Sequence, residues 1–179
     1  MNENATLARR AQGAIVLSVF GTAWLLWGVA VGFPSNYGLL AIAAAAGGAL
    51  FVAARRVFKA RRAAVVASLQ PKRVSNIKRQ FRTINIAQWV AVALVGCFLP
   101  LTGKQALVIP AVVAIVGIHF LPLGVLYRYR AHLMTGAALI ADACANPIWS
   151  NYLDHQAGVG IGAGVVLLTS AAYGLAGAL

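Results

Sequence analysis

Five stretches of about 20 residues contain no Lys, Arg, Asp or Glu, and a sixth is interrupted only by Asp142. A stretch of that length is what an α-helix needs to cross the hydrocarbon core of a bilayer. Six of them take up about 120 residues, so a chain of 179 residues has room for little beyond its connections. Hydrophobic residues make up 61% of the chain and charged residues 10%, against globular averages near one half and one quarter. This excludes a soluble enzyme, a disulfide scaffold, a disordered chain and an appended globular domain. The expected fold is all-α: a polytopic membrane helix bundle of about six transmembrane helices forming one integral membrane domain over 1–179, with spans near 12–33, 37–54, 84–101, 106–127, 133–149 and 158–179. A basic cytoplasmic loop is expected over 55–83.

The charges give the orientation. The net charge of +12 would suggest nucleic acid in a soluble protein, but the cations here occupy alternate connections. Arg9 and Arg10 precede the first span, ten basic residues lie between Arg55 and Arg82, and Arg128 and Arg130 follow the fourth span. Lys104 alone falls on the other side, and fourteen against one is a firm positive-inside pattern. Both termini are therefore expected in the cytoplasm, with no nucleic-acid partner. The first apolar stretch, from Ala14 to Phe33, is too long for the h-region of a signal peptide and ends in no A-x-A-like site, so it reads as a retained span. Trp89, Tyr127 and Tyr129 near one interface and Tyr37, Trp149 and Tyr152 near the other fit the aromatic belts of a membrane protein.

Polar side chains inside lipid are costly and usually face the bundle interior. Those expected here are Gln88, His119, Asp142 and Asn146, with Asn85 and Thr135 near the inner boundary. At 1.5 Å of rise per residue, His119 and Asp142 lie roughly 12 and 13 Å from the same face. Adjacent antiparallel helices would then bring imidazole and carboxylate together, either to shuttle a proton or to hold two helices in register. No His pair at i,i+4 and no C-x-x-C is present, so no metal site and no cofactor are expected. Ser18, Ser170 and Cys144 lack a recognisable catalytic motif, and a non-enzymatic role is favoured.

Two further patterns concern partners. The glycine-rich end of the chain carries two small-residue ridges, Gly158, Gly162, Ser170, Gly174 and Gly160, Gly164, Ala172, Ala176. They suit close helix packing, within the chain by preference and otherwise between copies in a homo-oligomer. The basic stretch, comprising Arg55, Arg56, Lys59, Arg61, Arg62, Lys72, Arg73, Lys78, Arg79 and Arg82, is expected to face anionic lipid headgroups. Within it, Val74, Ile77, Phe81 and Ile84 recur at helical spacing, as in an amphipathic segment lying on the inner leaflet.

Asn85-x-x-Gln88-Trp89, the Gly117-Ile-His119-Phe-Leu-Pro122-Leu stretch and Thr135-Gly136 resemble a group of small bacterial multi-span membrane proteins of uncharacterised function. The resemblance covers about a third of the chain. It implies a bacterial cytoplasmic membrane and draws attention to Asn85, Gln88, His119 and Thr135, whereas Asp142 lies outside the resembling motif. The leading expectation is a proton-linked transporter or permeation protein. The alternatives are a structural or regulatory membrane protein with a lipid-binding basic loop, and an intramembrane enzyme acting on a lipid-soluble substrate.

Overall fold

The structure is a computed structural model that describes residues 3–67, 71–149 and 155–177. It is all-α: α1 (Glu3–Gly32), α2 (Tyr37–Ala67), α3 (Pro71–Leu101), α4 (Val108–Tyr127), α5 (Arg130–Trp149) and α6 (His155–Ala176), with one 3-10 turn at Gln105–Leu107 before α4. The helix ends follow from local chemistry. Asn36 caps α2 by accepting the Leu39 amide at 3.1 Å. Gly103, at φ +73, ends α3 in a left-handed turn, and the Lys104 amide reaches back to the Leu99 carbonyl at 2.8 Å. The same turn closes α4, where the Tyr129 amide reaches the Gly124 carbonyl at 3.0 Å, but there Arg128 takes the left-handed position at φ 52.

Five helices, α1, α2, α3, α4 and α6, are long and apolar enough to cross a membrane. The chain is thus a multi-pass membrane protein in contact with a lipid bilayer. Of the six expected spans, α5 falls short of that composition, because its 20 residues include Arg130, His132, Asp142 and Asn146. The stretch over 55–83 also differs from the expected loop. Nearly all of it is helical: α2 and α3 each have 31 residues, about 46 Å at 1.5 Å per residue against a hydrocarbon core of about 30 Å. Between Gly48 and Pro71 there is no Gly or Pro, and Ala, Arg, Lys and Leu are strong helix formers, so α2 continues past its apolar part. Pro71 then occupies the first position of α3, where its missing amide costs nothing. The segment carrying Val74, Ile77, Phe81 and Ile84 is helical as expected, but it is continuous with α3 and so forms an extension of that span.

The small residues decide how the helices assemble. Helix α6 is the centre, packing against α1, α5, α4 and α2. A Cβ on Gly28 of α1 would lie 2.5 Å from the Ile161 nitrogen, and one on Gly164 would lie 2.6 Å from the Leu25 nitrogen. On the opposite pair, a Cβ on Gly136 of α5 would lie 2.6 Å from the Gly117 carbonyl oxygen of α4. Backbones this close are what bind helices where lipid removes the hydrophobic drive. The two ridges of α6 serve two different neighbours: Gly160 and Gly164 meet α1, while Gly162 and Ser170 meet α5. Helix α3 lies at the edge, touching α4 but no other helix among the described residues. It turns Leu94 and Phe98, each 65% exposed, outward as lipid requires.

Candidate functional site

Helix α5 has too many polar residues for a lipid-facing span, and their spacing explains where they go. His132, Thr135, Leu139, Asp142 and Asn146 are separated by three, four, three and four residues, which places them on one face. Its middle, from Thr135 to Asp142, turns to α6. The hydroxyls of Thr135 and Ser170 meet at 2.8 Å, Leu139 is fully buried in the core with Val166 packed against the same cluster, and the Asp142 carboxylate fills the space above Gly162. Pairs 135 with 170 and 142 with 162 sum to nearly the same number, as antiparallel neighbours in steady register must. The side chain of Asn146 lies outside the described residues.

The hydroxyl pair is fully used. Thr135 Oγ1 also reaches the Ala131 carbonyl at 2.8 Å and Ser170 Oγ the Val166 carbonyl at 2.8 Å. Two protons serve three contacts, so one hydroxyl donates across the seam while the other donates to its own helix. Asp142 lies two turns further along, about 10.5 Å by helical rise, with Leu139 between. The face therefore alternates proton-bearing groups with one apolar barrier.

At the basic end of the bundle the face terminates in an aromatic cluster. The His132 ring lies 5.0 Å from that of Tyr129, edge to face at 88°, and 5.6 Å from that of Phe120. Arg10 of α1 stands 5.6 Å over the Tyr129 ring and donates from Nη1 to the Gly177 carbonyl at 2.8 Å. A cation at the last carbonyls of α6 meets the negative end of that helix's dipole. Burial raises the pKa of Tyr129, with Arg10 opposing.

The polar residues expected to form one cluster are divided between two seams. His119 faces α3, with its imidazole against the Ile84 main chain, and its Nδ1 is buried with no hydrogen-bond partner. Asn85 and Gln88 are partly buried on α3, the edge helix that packs on α4. Thr135 and Asp142 belong to the α5–α6 seam. Of the basic residues, Arg55, Arg56, Lys59 and Arg61 sit on the extension of α2 and Lys78, Arg79 and Arg82 on that of α3; the side chains of Arg62, Lys72 and Arg73 lie outside the described residues. Sequence reasoning passed over His132, although its place three residues before Thr135 and ten before Asp142 was the signal. It also left Ser170 without the partner that Thr135 supplies.

A groove of about 800 Å³ opens between α3 and α4 at the basic end. A second concavity, about 630 Å³, lies at the 33–38 turn between α1 and α2. No three of His, Cys, Asp and Glu converge among the described residues, and Cys97 and Cys144 are both exposed. Comparison with family models, curated proteins and solved structures finds no match to this chain. The class defined by fold and composition is the polytopic α-helical membrane protein.

Proposed function

We propose that the chain is a six-span protein of the bacterial cytoplasmic membrane, with both termini in the cytoplasm, that links passage of a small solute or cation to protonation of Asp142. The observation that carries this reading is the polar face of α5 turned onto α6, with Asp142 against Gly162 and Thr135 against Ser170. A carboxylate at the centre of a span costs about 2.5–3.5 kcal/mol on insertion scales. An ionisable residue kept there at that cost, inside the bundle, is the minimum apparatus for proton coupling. Helix α5 crosses as the sixth span because α4 and α6 cover it on two sides. The positive-inside pattern supports the orientation, the resemblance to small bacterial multi-span proteins supports the setting, and the cations of α2 and α3 face anionic headgroups at about 1 kcal/mol each.

The test is proton flux in liposomes holding the purified chain and a trapped pH-sensitive dye. Flux above protein-free vesicles, lost in Asp142→Asn, is the expected result. Flux equal to that of empty vesicles, or unchanged in the variant, overturns the reading. A structural membrane protein is the second reading, favoured by the glycine seams that join α1 to α6 and α4 to α5; it requires that Asp142→Asn alter stability alone.

A further inference from the structure

The groove between α3 and α4 has two unlike walls. From α3 come Asn76, Arg79 and Gln80, and from α4 come Pro122, Val125 and Leu126. Thr83 also borders it, but its hydroxyl is engaged with the Arg79 carbonyl at 3.2 Å. The donors left for a ligand are thus the guanidinium and two side-chain amides, a set suited to a phosphate. Neither α3 nor α4 contains an acid, so the positive charge is unopposed along both helices. Lys78 and Arg82 add to it on the adjoining turn. The apolar wall is open sideways, Val125 being 72% exposed. Vertically the groove sits where the apolar parts of both helices end, since the α3 span begins at Asn76 and the α4 span ends at Tyr127.

A cationic, amide-bearing rim above an apolar wall open to the bilayer matches an amphiphile with an anionic head. The volume of about 800 Å³ lies within the usual range of small-molecule sites, about 300–1,000 Å³. We infer that this groove is a specific site for one anionic phospholipid, its phosphate on Arg79, Asn76 and Gln80 and its chains against Pro122 and Val125. The inference rests on the reading that the basic end of the bundle lies in a headgroup layer, and it narrows that diffuse attraction to one place. Occupancy would fill the side of α4 that α3 leaves uncovered and hold the two helices together at the basic end.

The full chain in a neutral detergent is titrated with dioleoyl phosphatidylglycerol or dioleoyl phosphatidylcholine, and bound lipid is counted by native mass spectrometry. The expected result is one phosphatidylglycerol retained per chain in preference to phosphatidylcholine. Arg79→Gln should weaken retention about fivefold, which is the equivalent of about 1 kcal/mol for one cation. Val125→Trp, at an exposed position that fills the groove without touching its charge, should weaken it as well. Arg56→Gln, on α2, should leave it unchanged. Wild-type affinity in either groove variant overturns the site. If Arg56→Gln weakens retention as much as Arg79→Gln, the site falls while the general attraction to headgroups stands. If phosphatidylglycerol is held no better than phosphatidylcholine, both fall.

Discussion

The Asp142 carboxylate of α5 lies directly over the α-carbon of Gly162 on α6, so that a Cβ there would fall 2.5 Å from Asp142 Cγ. The atoms in the way belong to a side chain that can rotate, not to a backbone. Gly162→Ala should therefore keep the bundle folded while driving the carboxylate out of its place. Flux in liposomes should fall as far as in Asp142→Asn, while the thermal midpoint in detergent changes little. Full flux in Gly162→Ala would separate the carboxylate's position from its function.

Gly28 presents the opposite case. Its added Cβ would meet the Ile161 nitrogen at 2.5 Å and the Gly160 carbonyl carbon at 2.8 Å, both backbone atoms of the central helix. Nothing there can turn aside, so α1 and α6 must part. Gly28→Ala should destabilise the protein by about 1–3 kcal/mol, the usual range for overpacking. Gly48→Ala, on α2, faces open space and should be neutral or stabilising by up to about 1 kcal/mol through helix propensity. Paired thermal unfolding of the two variants in one detergent checks the contrast.

How much of this was legible in the sequence depended on whether a feature is set along a helix or around it. The length and apolar content of the spans are axial properties, and five helices meet them; α5 departs from the pattern through Asp142 and its polar neighbours. The two ridges of α6 were visible as spacings, and each found a partner within the chain, α1 for Gly160 and Gly164 and α5 for Gly162 and Ser170. Depth from helical rise placed His119 and Asp142 at one level, but their azimuths are set by which neighbours α4 and α5 acquire. The result puts His119 against Ile84 and Asp142 against Gly162. The basic stretch read as a loop because charge marks the membrane boundary, yet nothing in it up to Ala67 breaks a helix, and Pro71 is tolerated as the first residue of α3.

The Thr135–Ser170 contact links α5 to α6 at 2.8 Å, yet its removal should cost little. Each hydroxyl also has its own carbonyl, Ala131 or Val166, at 2.8 Å. Thr135→Val leaves the serine hydroxyl bonded, and Ser170→Ala leaves the threonine bonded, so neither variant orphans a buried proton. A double-mutant cycle in detergent should give a coupling near the ~0.6 kcal/mol average for interhelical hydrogen bonds in membranes. A coupling several times larger would mean that the pair is part of a wider polar network along the α5 face.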